Sequence, residues 1–255
     1  MDFDISHLLE HWDFKAGQVM VRRFKTKDGQ ELIQLRVDLG LLQMHATGRP
    51  DGKRPMGHDT WFEFYLNRLE EHRARNGGDD EAFTLTAEDC TRLHVESVQF
   101  HHRYICLLQL EDYDGVLRDT ERNLELFEFV EEYADSQENS WMFQNFRPQC
   151  LMMQTRAMVS LKLKEKNHNA ALSELTDGIE TIREFYREYS MTEQLEQSGE
   201  LASLEAWQAE LTHRKPLSAR EKLELELQDA VRQEDYEAAA RVRDALRKLA
   251  IDPAS

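Results

Sequence analysis

From Leu85 to Tyr133 the chain reads LTAEDCTRLHVESVQFHHRYICLLQLEDYDGVLRDTERNLELFEFVEEY, with no proline, and this run limits the fold more than any other feature. Thr86 supplies an N-cap and Asp89 follows three residues later, so a helix starts here. Its apolar phase shifts near Glu111–Asp112. Ile105 and Leu108 lie on one stripe, and Tyr113, Val116, Leu117, Leu124 and Phe127 on a second, so the run divides into two helices. Composition agrees with a helical chain: 40% of residues are hydrophobic and 32% charged, with only 11 glycines and 5 prolines. A length of 255 residues accommodates one large domain or two smaller ones, each with a core of its own.

The formal charge of −17, from 49 acids against 32 bases, disfavours duplex nucleic acid as a partner for the molecule as a whole. The opening residues MDFDISHLLEHW contain neither a basic segment nor a long apolar run, and no 18-residue apolar window occurs elsewhere. Neither a signal peptide nor a membrane span is therefore expected. Cys90, Cys106 and Cys150 are few, odd in number and outside any C-x-x-C pair, which suits reduced thiols. The expected location is the cytoplasm.

Upstream of the helical run lies the strongest strand signal. QVMVRRFKTKDGQELIQLRVDLG has two runs of β-formers around Asp28-Gly29, a pair suited to a tight hairpin turn. Centring the turn there pairs Phe24 with Ile33, Arg22 with Leu35 and Met20 with Val37. An isolated hairpin is marginal in water, so it needs a neighbour, with the helix in TWFEFYLNRLEEH (60–72) as the candidate. Residues 21–55 hold eight bases and four acids, the one basic island. HATGRPDGKRPMG (45–57) reads as a loop. Gly48 and Gly52 are one residue too close for a phosphate loop, and no Ser or Thr follows Lys53, so a surface turn is expected. RNGGDDEAFT (75–84) has the composition of a linker.

In QLEDYDGVLRDTERNLEL (109–126), Asp112-Tyr113 and Leu124 resemble the turn and second helix of a tetratricopeptide repeat. Val116 stands at the small-residue position and Glu111 at the glycine position. A second copy occupies 156–185, with His168, Ala171 and Ile179 in the places of Tyr113, Val116 and Leu124. The copies are 55 residues apart, too far for a regular array, so the resemblance implies a bundle of lengthened helices; an ordinary helical bundle meets the same constraints.

Chemistry-bearing patterns are sparse. Cys90 and His94 fall on one helix face, with His101, His102 and Cys106 further along, but one straight helix cannot surround an ion. A core thiol with partly exposed histidines is the expectation, and neither metal nor cofactor is assigned. No nucleophile elbow, zinc-protease, dinucleotide or kinase pattern occurs, so no catalytic residue is assigned and the chain is expected not to be an enzyme. Residues 111–140 hold eleven acids and two bases, either a solvated face or a docking surface for a basic partner.

The tail, LSAREKLELELQDAVRQEDYEAAARVRDALRKL (217–249), reads as an antiparallel helical hairpin. Pro216 ends the preceding helix, and Ser218 with Glu221 forms a capping box. Leu223, Leu227 and Val231 share a face beside Ala230. After a turn at Gln233-Glu234, Asp235 caps a second helix whose inner face carries Tyr236, Ala239, Val242, Leu246 and Leu249. Small residues Ala238 to Ala240 allow close helix approach.

This segment closely resembles the UVR motif, whose signature is met by Leu223, Leu227, Ala230, Glu234, Asp235, Tyr236, Glu237, Ala239, Ala240, Arg243, Asp244, Leu246 and Leu249. The resemblance implies a bacterial protein-binding hairpin, of the kind found in the excision-repair proteins UvrB and UvrC, in Clp chaperone ATPases and in the activator of a protein-arginine kinase. That activator also carries C-x-x-C zinc sites, absent here. The implied partner is another protein, one with such a hairpin or one linked to Clp or repair, with a second copy of the chain as a further option. Its contact residues would be Leu223, Leu227, Val231, Tyr236, Ala239, Val242, Arg243, Leu246 and Leu249.

The expected architecture is mainly α: an α+β module with a β-hairpin (1–78), a tetratricopeptide-like helical bundle (84–214) and the C-terminal hairpin (217–250). The expected function is recruitment of a partner in protein quality control, stress response or excision repair. Nucleic-acid binding through Arg22, Arg23, Lys25, Lys27, Arg36, Lys53 and Arg54, or an enzyme with an unfamiliar site, are the alternatives.

Overall fold

The computed structural model describes residues 4–214, 219–233 and 235–251. The chain forms two compact units, residues 1–208 and 209–255. Unit 1 begins with one helical turn, α1 (Ser6–Leu9), and a three-stranded antiparallel sheet of β1 (Met20–Lys25), β2 (Glu31–Val37) and β3 (Gly40–His45), with β2 central.

The register differs from the expected one by one residue: Phe24 opposes Leu32, Arg22 opposes Gln34 and Met20 opposes Arg36. The cause is a three-residue loop in place of a two-residue one. The Thr26 hydroxyl accepts from the Gln30 amide at 3.0 Å, the Thr26 amide donates to the Gln30 carbonyl at 2.9 Å, and Gly29 alone takes a positive φ of 85°. A type I turn closed by a left-handed glycine gives this outcome. The slip exchanges the faces, because side chains alternate along a strand. Ile33 and Met44 join the main core, with Val21 and Leu35 packed against it. The opposite face carries a polar ladder in which Arg22 Nε donates to Gln34 at 2.7 Å and Gln34 donates to Gln43 at 2.9 Å. Trp12 stacks on Arg22, its ring centroid 4.3 Å from the guanidinium, and its carbonyl accepts from Arg36 Nε at 2.9 Å. The sheet rests through β2 on the helix Ala87–Gln109, whereas the helix Trp61–Arg75, the neighbour expected from sequence, packs on that same helix.

The helices follow in order: α2 (Trp61–Arg75), α3 (Ala87–Gln109), α4 (Tyr113–Tyr133), α5 (Gln137–Gln144), α6 (Arg147–Lys164), α7 (His168–Glu188), α8 (Thr192–Gln197) and α9 (Gly199–Arg214). Thr86 and Asp89 form the expected capping box at the start of α3. Consecutive long helices pack in series, α3 on α4, α4 on α6 and α6 on α7. The two helix-to-helix turns repeat each other. Glu111 and Lys166 take φ values of 56° and 59°, and Asp112 and Asn167 cap the next helix by accepting from the amides of Gly115 and Ala170, each at 3.1 Å. Val116 and Ala171, in matching places, are fully buried. Both turns close with the amide of the capping residue bonded to a carbonyl five residues earlier, Leu107 and Lys162, each at 2.9 Å.

One hydrophobic core runs from Ile33 and Met44 through Phe62, Tyr65, Leu85, Leu93 and Leu126 to Ala157, so elements on both sides of the 75–84 loop share it. Leu85 and Asp135 tie that loop to the end of α4, Leu85 N donating to Tyr133 O at 2.7 Å and Asp135 N to Leu85 O at 3.0 Å. Buried charges fasten the N-terminal segment to the helices. Arg103, 1% exposed, forks onto Asp119 at 2.7 and 2.8 Å and donates through Nη1 to the carbonyls of His45 and Gly48 at 3.0 and 2.6 Å. Glu96 accepts from the amides of Trp61 and Phe62 at 2.7 and 3.2 Å, neutralising the exposed dipole at the start of α2. Arg49 and Arg122 pair with the same carboxylate. The 45–57 loop is thus a fixed surface turn. Gly52 is required there: at φ 70°, an added Cβ would lie 2.4 Å from the His45 imidazole.

Candidate interaction site

In unit 2, α10 (Ala219–Arg232) and α11 (Tyr236–Ile251) pack against each other. Leucine and alanine spacing on α10 and alanine, valine and leucine spacing on α11 give each helix one apolar stripe. The turn is closed by Gln233 N donating to Asp229 O at 3.0 Å and Asp235 N to Ala230 O at 2.9 Å. Asp235 caps α11 as expected, its Oδ1 accepting from Ala238 N at 3.0 Å. Pro216, Ser218 and Glu234 lie outside the described residues, as do the side chains of Glu221 and Leu249.

Ala230 on α10 and Ala239 on α11 are the buried residues among those described in the hairpin. Leu223, Leu227, Val242 and Leu246 are half-buried. Two seam assignments are corrected. Val231 is 54% exposed and Tyr236 is 71% exposed. One residue further along a helix rotates the side chain by about 100°, so with Ala230 facing inward, Val231 faces away. Tyr236 opens α11, and α10 has already ended at Arg232, so no opposing turn covers the ring. Leu225, on the outer side of α10, is 46% exposed. The exposed charges include Glu237, Arg241, Arg243 and Asp244, the last two 3.9 Å apart.

The other sequence candidates do not converge into a reactive centre. Cys90, Cys106 and Cys150 are buried free thiols, and burial pushes Cys90 up to about 11 and the other two to about 12. They are protonated at neutral pH and poor nucleophiles. His94 packs edgewise on Phe143, with ring centroids 5.6 Å apart. His101 Nδ1 lies 2.8 Å from the Tyr104 hydroxyl; burial, reinforced by the adjacent His102, lowers its pKa to about 4. Among the described residues no three His, Cys, Asp or Glu side chains gather as metal ligands. A recess of about 200 Å3 beside the 45–57 loop is lined by Leu42, Met44, Pro50, Asp51, Gln99 and His102.

The basic island is largely occupied from within. Arg23 pairs with Asp112, Lys25 with Glu31 at 3.0 Å and Arg54 with Asp59 at 2.7 Å. Arg36 is buried and also donates to the carbonyls of Asp38 and Gly40 at 2.9 and 3.1 Å, closing the β2–β3 turn. Lys27 and Lys53 lie outside these pairings.

The described structure is a mainly helical body with a small sheet, followed by a two-helix hairpin. Residues 219–250 match the family model of the UvrB/uvrC motif, UVR. The match covers the hairpin alone. No curated protein and no solved structure matches the chain. Among the described residues, no helix is long and apolar enough to cross a membrane.

Proposed function

We propose that this is a non-enzymatic cytoplasmic adaptor whose C-terminal hairpin recruits another protein. The observation that carries the reading is the exposure of Tyr236 and Val231, 71% and 54%, flanking the turn of a hairpin that matches the UVR motif. Two aligned helices this short bury little of their own apolar surface, and a partner helix completes the burial. A largely exposed aromatic ring is the kind of anchor that dominates interfaces. Arg241, Arg243, Asp244 and Glu237 surround the apolar seam and select the partner by charge.

The partner is a protein with a similar hairpin. The motif resemblance supports two candidate processes, Clp-linked quality control and excision repair, and the acidic charge of −17 favours the first over DNA-proximal work. The test compares the full chain with Val231→Ser/Tyr236→Ser in pull-downs from a bacterial extract, followed by quantified binding of each captured protein after purification. Affinity falls at least about tenfold in the double variant, while urea unfolding stays within about 0.5 kcal/mol because both side chains are exposed. Partners retained at unchanged affinity by the double variant would remove the exposed seam from the function.

A further inference from the structure

A groove of about 630 Å3 lies in unit 1, where α5 faces the corner between α7 and α8. Its apolar surface comes from Trp141 on α5, Tyr189 at the end of α7 and Met191 just beyond. The Trp141 and Tyr189 rings are 5.2 Å apart and tilted by 59°, forming an angled aromatic platform. Tyr189 is held on three sides: its ring packs on Phe185 at 4.9 Å, its hydroxyl donates to the Glu131 carboxylate, and Ser190 turns the chain sharply away at φ 54°. Burial and that carboxylate both raise the Tyr189 pKa, so the phenol stays protonated and the ring stays fixed.

A second recess, of about 240 Å3, shares Tyr189 and continues toward Glu131, Glu184 and Glu188. Glu138 stands on the wall of the first. Glu131 is partnered by Tyr189, by Gln144 at 3.2 Å and by Arg147 at 4.0 Å, and Arg147, the one cation in the described lining, also pairs with Glu128 at 2.8 Å, which leaves Glu138, Glu184 and Glu188 as the carboxylates without a cation there. Carboxylates alone would be an ordinary solvated face. Here they border aromatic rings in a groove of ligand-binding size. The groove walls also present the carboxamides of Gln137, Asn145 and Gln194, each exposed and without an intramolecular partner among the described residues. Carboxamides offer both donors and acceptors, the complement of an extended peptide backbone.

We propose that this groove is a second docking site, separate from the hairpin, that takes an extended peptide segment carrying arginine. A guanidinium stacks flat on Trp or Tyr while its edge forks onto a carboxylate, and lysine offers only the charge. An apolar helix would leave Glu138 and Glu188 desolvated and unpaired, and nucleic acid would meet like charge. The groove therefore selects a cationic, planar side chain on an open backbone.

The test uses the full chain and a fluorescein-labelled nonapeptide of alternating arginine and serine, read by anisotropy, with lysine and glutamate analogues. The arginine peptide binds, the lysine peptide binds about fivefold more weakly and the glutamate peptide does not. Glu138→Gln/Glu188→Gln weakens binding at least about tenfold, while the control Glu70→Gln/Glu81→Gln, with the same change in net charge, alters it less than about twofold. Trp141→Tyr keeps most of the affinity and Trp141→Leu loses it, with circular dichroism monitoring the fold; the exposed carboxylate pair decides the matter if Trp141→Leu misfolds. Absence of binding, or equal weakening by both glutamate pairs, would overturn the proposal. So would self-association in sedimentation abolished by Glu138→Gln/Glu188→Gln, which would assign the groove to a second copy.

Discussion

His101 shows how burial sets the chemistry of single residues in this chain. Its imidazole pKa falls from 6.5 to about 4 because burial penalises the charged form and His102 adds like charge. Between those two values the unfolded chain binds a proton that the folded chain refuses. Stability therefore declines as pH is lowered from about 6.5 toward about 4 and does not depend on His101 above that window. Urea unfolding at about pH 7 and about pH 4.5 should show this residue's share directly: His101→Gln reduces the loss on acidification by about 2 to 3 kcal/mol. An identical pH dependence in the variant would mean that the imidazole is solvated. The paired carboxylates, such as Asp80 and Glu180 with their lowered pKa values, lose their contribution at still lower pH, and the comparison between the two proteins removes them. Little of this was legible in sequence. His94, His101, His102 and the cysteines resemble ligands by spacing, yet His94 packs on Phe143 of another helix and His101 contacts the Tyr104 hydroxyl, and the burial that sets their chemistry arrives only through tertiary packing.

At the scale of elements, the helix pairs rest on small residues at crossings as much as on apolar stripes. Gly178 on α7 faces Thr155 on α6, and an added Cβ would lie 2.2 Å from Oγ1 and 2.4 Å from Cγ2. Alanine favours a helix interior by about 1 kcal/mol over glycine. Forcing a methyl against a 2%-exposed threonine costs about 1 to 3 kcal/mol and moves α6 away from α7. The clash outweighs the propensity gain: Gly178→Ala should lower unfolding stability by up to about 2 kcal/mol, and an increase in stability would show that the helices separate freely. The first of these turns was legible because the apolar phase breaks near Glu111–Asp112, and the second because His168, Ala171 and Ile179 stand in the places of Tyr113, Val116 and Leu124, 55 positions on. The strand register was not. Whether Asp28-Gly29 closes a two- or three-residue loop depends on the Thr26 hydroxyl, and that choice exchanges Arg22 and Arg23 between faces. Strand β3 escaped because GLLQMH does not alternate, although the Asp38-Leu39 turn beside it is two residues long and Leu41 and Leu42 are adjacent β-formers.

At the scale of the molecule, the tail hairpin was the most legible part, since capping, small-residue and leucine positions all fall within one local segment. What sequence spacing could not give was which side chains stay outside: Val231 lies about 100° round the helix from the buried Ala230, and Tyr236 stands where α10 has ended. The body is a separate matter. Among the described residues its core extends from Ile33 to Ala157, and its buried charges, Arg103, Asp119 and Glu96, have partners within unit 1. A chain stopped at Lys215 keeps α9, whose Ser203 and Glu205 accept from Arg156 and Arg183 at 2.6 and 2.7 Å. Its urea unfolding should therefore stay within about 0.5 kcal/mol of the main transition of the full chain, the range expected for changes away from a core. The helical circular-dichroism signal should fall only by the share that α10 and α11 contribute. A loss above about 2 kcal/mol would place structural duties on the hairpin that its half-buried leucines do not suggest, and would weaken its assignment as a surface kept for another protein.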